Sequence, residues 1–90
     1  MDRIDKKFEK LGFKKTKEDK YGVGYERVVP KYEFIHCIDI LHKASGRHLI
    51  MSYEKKVNND GFSNMVGTSI RETKLILKKF KIMKRKYHWE

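Results

Sequence analysis

Apolar residues at the start of the chain recur at helical spacing, with Ile4, Phe8 and Leu11 at i, i+4 and i+7 behind Asp2 as N-cap. Gly12 followed by Phe13 predicts a left-handed helix stop that folds the next apolar side chain back onto the last turn. The polar stretch 14–20 follows neither apolar period and reads as a connector or a frayed strand edge. From Tyr21 the period is two: Tyr21, Val23, Tyr25 and Val29 share one face, and Gly22, Gly24 and Glu26 the other, up to Pro30, which marks the strand's end or a bulge. Both faces of the segment from Tyr32 to His42 are largely apolar, which predicts the central strand. Ala44, Ser45 and Gly46 form a three-residue hairpin loop with Gly46 at positive φ, leading into a strand from Arg47 to Lys55. Asn58 to Gly61 are loop formers, with room for a brief strand around Phe62 to Val66. Ser69 and Glu72 have the spacing of a capping box. They open a long helix whose core arc is predicted to be Ile70, Thr73, Ile76, Leu77, Phe80, Met83 and Tyr87.

The expected order is therefore α-β-β-β-α in one α+β domain over residues 1–90. Its sheet would be antiparallel and three-stranded, with at most a short fourth strand, and both helices would pack on one face. Phe8, Leu11, Phe13, Ile38, Ile40, Ile76 and Phe80 are expected to share the core.

Charge changes the picture from fold to partner. The 90 residues carry 22 Lys and Arg against 12 Asp and Glu, a net charge of +10. The single cysteine, Cys37, excludes an internal disulfide framework and a Cys-rich zinc module, and suits a reducing, cytoplasmic setting. No apolar run is long enough for a membrane span or secretory signal. No acidic residue interrupts the chain from Lys74 to Lys86, where Arg71, Lys74, Lys78, Lys81 and Arg85 line one stripe of the last helix. Such a stripe suits a phosphate backbone or an acidic protein face; it is equally the solvated outer face of a small soluble domain. Lysine outnumbers arginine, so contact with nucleic acid is expected to be non-specific.

Leu75, Ile82 and Trp89 recur every seven residues beside the stripe. Two readings stand: a seam that docks a partner or a second copy, or residues covered by the 56–67 loop and a frayed C-terminus. A three-residue hairpin loop sets His42 opposite His48, but two imidazoles are too few for a structural metal site, and solvated histidines are expected. Cys37 has no evident activating base and reads as an inert thiol, while Asp39 needs a partner such as Lys55, Lys56 or a tyrosine. No phosphate-binding loop, nucleophile elbow or metal motif occurs, so the expectation is a non-enzymatic binding protein with no cofactor and no metal.

Three segments carry a resemblance: F-E-K-L-G-F at Phe8 to Phe13, Y-G-V-G-Y-E at Tyr21 to Glu26, and the hairpin from Cys37 to Ile50. Together they resemble small accessory proteins encoded by phages and prophages of Gram-positive bacteria. The resemblance implies no catalytic residues; it implies a host-cell protein that binds nucleic acid or a host protein, anti-restriction and anti-CRISPR inhibitors among them. The element order is also that of the double-stranded RNA-binding domain. That family opens its last helix with K-K-x-A-K, where this chain has Thr68-Ser69-Ile70-Arg71-Glu72-Thr73-Lys74. Two functional expectations follow. The last helix tracks a nucleic-acid backbone as a monomer or weak homodimer, with the tyrosines of the first strand as stacking surfaces; or it docks on an acidic host protein and blocks it, anchored by Leu75, Ile82 and Trp89.

Overall fold

The computed structural model describes residues 2–90, apart from the side chains of Tyr32, Asn59, Asp60 and Phe62. The elements are α1 (Arg3–Lys10), β1 (Lys14–Asp19), β2 (Gly22–Val29), a 3-10 turn (Pro30–Tyr32), β3 (Phe34–His42), β4 (His48–Lys56), β5 (Asn59–Met65) and α2 (Ile70–Lys86). The strands form an antiparallel meander in the order β1-β2-β3-β4-β5. The α+β class holds, but the sheet has five strands where the apolar pattern predicted three or four. The polar stretch 14–20 is an edge strand, and the segment before Met65 is a full strand entered by a turn at Val57 and Asn58.

Local signals placed the helix and hairpin ends well. Asp2 caps α1 by accepting from the Asp5 backbone N–H at 2.8 Å. Gly12 (φ +93°) closes it, and Gly46 (φ +87°) turns the β3–β4 hairpin, both in the left-handed region that favours glycine. Ser69 and Glu72 exchange the two capping-box bonds at 2.9 and 3.0 Å.

Cross-strand pairs share a face, so Tyr25, Ile38 and Ser52 lie in one row, and Val23, Ile40 and Ile50 in the next. Both helices cover this face. Ile4 and Phe8 of α1 and Leu75, Ile76 and Met83 of α2 close over Phe13, Val23, Tyr25, Ile38 and Ile40, with Phe8 stacked on the Tyr25 ring at 4.0 Å. Leu11 and Phe80, expected in the core, are partly buried at its margin.

The inward arc of α2 differs most from expectation. Ile70 is 74% exposed and Leu77 48%, whereas Leu75 is 6% exposed and Lys79 only 1%. At 100° per residue the buried side is turned about a quarter of a revolution from the arc that apolar residues define. The cause is ionic. Lys79 Nζ donates to Asp2 Oδ2 at 2.7 Å and Glu18 Oε1 at 2.9 Å, and lies 3.1 Å from Asp5 Oδ1. Lys15 joins Asp5 and Glu18 from β1, while Lys86 and the Tyr87 hydroxyl donate to the other Glu18 oxygen. Near the start of α2, Glu72 pairs with Arg27 at 3.2 Å, and Arg27 also donates to the Leu11 carbonyl and to His36 Nδ1.

A bulge in β1 makes the first network possible. Lys15 pairs with Tyr25 and Glu18 with Val23, with the register shift falling between Lys15 and Lys17. In a regular strand, residues three apart point to opposite faces; here both point inward.

Adjacent lysines of α2 should therefore behave in opposite ways. Lys79→Met leaves three crowded carboxylates without their central cation and should cost about 3–5 kcal/mol. Lys78→Ala, on the exposed side, should stay within about 0.5 kcal/mol. Urea unfolding of the two variants checks this, and equal costs would contradict the inward arc.

Candidate nucleic-acid interface

The interior networks sort the charges of both helices by sign. Asp2, Asp5 and Glu72 turn inward to their cations, leaving the outer surface to side chains of the other sign. On α2, Arg71, Lys74, Lys78, Lys81 and Arg85 are all exposed, as their spacing predicted. On α1, Arg3, Lys6, Lys7 and Lys10 are exposed as well, on the side opposite Ile4, Asp5 and Phe8. Exposed Glu9 falls by helical geometry on the flank turned away from α2. Between the helices Lys7, Lys10 and Arg71 line an open basin of about 280 Å³ floored by Leu11 and Leu75. Arg3, Lys6, Lys7 and Lys10 line a second beside it. The outer cations of α1 are the residues that reading α2 alone passes over. Their signal was in the sequence, since positions 3, 6, 7 and 10 repeat on the side opposite Ile4, Phe8 and Leu11.

The seam of Leu75, Ile82 and Trp89 is not an accessible strip. Leu75 faces the α1–α2 junction, Ile82 is half-buried against the core, and Trp89 is 5% exposed. The Trp89 indole N–H donates to the Lys20 carbonyl at 2.8 Å, so the chain stays in place beyond the end of α2. The seam is covered because α2 is turned toward Lys79, which brings Leu75 down beside α1 and Ile82 against the core, while Trp89 packs on the hairpin histidines. Tyr25 is likewise unavailable for stacking, since Phe8 covers its ring and its hydroxyl donates to Asp5. Tyr21 remains exposed.

His42 and His48 face each other as the loop length predicted, with ring centroids 5.0 Å apart. Their environment differs from the solvated one expected: Trp89 stacks on both at 5.1 and 5.7 Å, and Phe80 meets His48 edge-on. Oxygens of Asp2, Asp5 and Glu18 lie within 4.8 Å of one another, as in a metal cage, but the Lys79 ammonium sits among them and serves all three. Asp39 accepts from the Tyr53 hydroxyl at 2.9 Å, one of the partners anticipated for it. Burial and the nearby Glu26 carboxylate push the Cys37 thiol up, the opposite of what a nucleophile needs. No helix is long and apolar enough to cross a membrane among the described residues.

Burial alone would raise the Asp5 and Glu18 carboxyls. The bonds from Tyr25, Lys15 and Lys79 to Asp5, and from Lys86, Lys79 and Tyr87 to Glu18, outweigh it and hold both below the usual range. Burial, with Arg27 alongside, holds His36 below the ordinary histidine value against the pull of Glu72 and Glu54. Because Arg27 can only donate, His36 Nδ1 accepts from it and Nε2–H donates to Ser52 Oγ at 2.7 Å, which is the neutral ring.

Compared with models of protein families, with curated proteins and with solved structures, the chain matches none.

These shifts set the acid limb of stability. A group whose folded value lies below its unfolded one contributes stability that is lost as pH falls through the folded value. Stability should begin to fall below about pH 6.5 through His36, and steepen below about pH 4 through Asp5 and Glu18. In His36→Gln the first part of the decline should shrink and the second remain. Thermal melts across pH test this, and an unchanged slope below pH 6.5 in that variant would contradict it.

Proposed function

We propose that the protein binds a polyanion, specifically a nucleic-acid backbone, across the outer faces of α1 and α2. The observation that carries this reading is the one-sided sorting of charge. Four cations of α1 and five of α2 are exposed, and Lys7, Lys10 and Arg71 meet across one basin, while the acidic residues Asp5 and Glu72 of the same segments are buried and Asp2 is tied to Lys79. Fields of one sign over a groove concentrate counter-charge, and neutralised phosphates release their ions. The surface is wider than the α2 stripe alone and includes the inter-helix basin, whose walls Lys7, Lys10 and Arg71 could bracket a phosphate chain.

The chemistry favours backbone contact over base reading. Lysine dominates the surface, and among the described residues Phe8, Phe13 and Tyr25 lie in the core and Trp89 against the histidines, with Tyr21 exposed outside both helices. A weakly sequence-specific contact with a duplex fits best. The reading as an inhibitor docked on an acidic host protein loses the anchors it was built on, since Leu75 and Trp89 are buried. Small phage-type accessory proteins include nucleic-acid binders, which agrees with the proposal without adding residues to it.

Fluorescence anisotropy with a labelled duplex tests it. Affinity should be in the micromolar range at low salt, with log K falling by nearly one unit per tenfold rise in salt for each phosphate contact. Lys7→Glu with Lys10→Glu on α1, and Lys74→Glu with Lys78→Glu on α2, should each weaken binding by roughly tenfold or more. Loss only in the α2 pair would confine the site to the last helix. Loss in neither would remove both helices from it.

A further inference from the structure

Ile40 and Ile50 are directly paired on the inner sheet face, yet Ile40 is fully buried and Ile50 is 48% exposed. In this row the cover provided by α2 therefore ends between β3 and β4, although Ser52 and His48 on either side of Ile50 are still covered. On α2 itself the same boundary falls between Ile76, which is buried, and Leu77, which is exposed. The two bare side chains lie on one shoulder: the Phe80 ring touches His48, two residues from Ile50 on the same face of β4, and Leu77 is one helical turn before Phe80. Ile70 continues the shoulder two turns farther back. Nothing in the interior networks holds these side chains outward; they are what remained when α2 turned toward Lys79.

We propose that this shoulder docks the same shoulder of a second copy of the chain across a two-fold axis. Charge selects this occupant. Residues 57–70 carry one formal charge, Asp60, in a chain that is 38% charged, so this edge is where two chains of +10 can approach with least repulsion. The helix side of the shoulder is bordered by exposed Lys81 and Lys84, whereas the sheet side offers Glu54 and the low-charge strand β5. A two-fold axis exchanges these borders, setting the lysines of one copy against Glu54 of the other around an apolar centre. The edge at β1, with its three lysines and a bulge, has no such composition. The contact leaves the α1 side of the cationic surface open and takes only Lys81 from the stripe of α2.

Sedimentation equilibrium of the full chain tests the proposal. The mass should rise with concentration from 10.8 kDa toward twice that value. Leu77→Asp should weaken association by roughly tenfold or more while leaving the circular dichroism spectrum unchanged, because a hot spot loses far more than an exposed side chain contributes to folding. Ile50→Asp provides the same reading from the strand side. Met65→Asp, exposed on the opposite sheet face, should leave association unchanged. A monomer at every concentration, or a dimer indifferent to both shoulder variants, overturns the proposal. So does a dimer lost only in Met65→Asp, or a monomer whose shoulder binds an acidic helical peptide instead.

Discussion

The ammonium of Lys79 is the interaction on which the rest of the structure depends. It joins three elements far apart in sequence, since Asp2 caps α1, Asp5 lies in its first turn and Glu18 comes from the bulged edge strand. Burying a charge is costly, and one lysine among three carboxylates would leave excess negative charge. Lys15 and Lys86 balance it, giving three cations to three anions, and Tyr25 and Tyr87 supply further donors. Such a network adds little net stability over an apolar core; what it adds is uniqueness of arrangement. Here it sets the rotation of α2 about its own axis.

That rotation organises everything outside the core. It carries Leu75 down beside α1, lays Ile82 against the core and lifts Ile70 and Leu77 into solvent. It also leaves the stripe from Arg71 to Arg85 exposed, with Arg71 meeting Lys7 and Lys10 of α1 across the inter-helix basin. The Arg27–Glu72 pair fixes the start of α2, and Trp89 on the Lys20 carbonyl fixes the chain beyond its end. Because each acidic partner is drawn inward, the outer surface is more uniformly basic than the composition alone implies.

Features governed by local chemistry were legible in the sequence: the Asp2 cap, the glycine stop at Gly12, the capping box and the three-residue loop before Arg47. Each depends on residues within one turn of the chain. The helical stripe of basic residues was legible too, because it requires only that α2 be a helix. What was hidden depended on partners distant in sequence. Strand β1 shows no apolar alternation because its inward side chains, Lys15 and Glu18, are charged, and a bulge breaks the period of two. Lys79 looks like any other lysine on a helical wheel until the carboxylates of α1 and β1 converge on it. Hydrophobicity therefore placed Leu77 inside and passed over Lys79, when electrostatics buries Lys79 and leaves Leu77 exposed.

Nitrogen-detected NMR of the lysine ammonium groups tests the central claim most directly. The bonds that Lys79 donates to Asp2, Glu18 and Asp5 outweigh burial and raise its value above that of an ordinary lysine. Its ammonium should therefore give a separate, slowly exchanging resonance at neutral pH that still carries its proton at about pH 10.5, where exposed lysines are half titrated. In the same sample the Glu18 carboxyl carbon should show no titration near about pH 4.3, the ordinary glutamate value. A Lys79 ammonium that exchanges and titrates with Lys78 and Lys81 would contradict the account, because α2 would then have no ionic reason to turn its apolar shoulder outward.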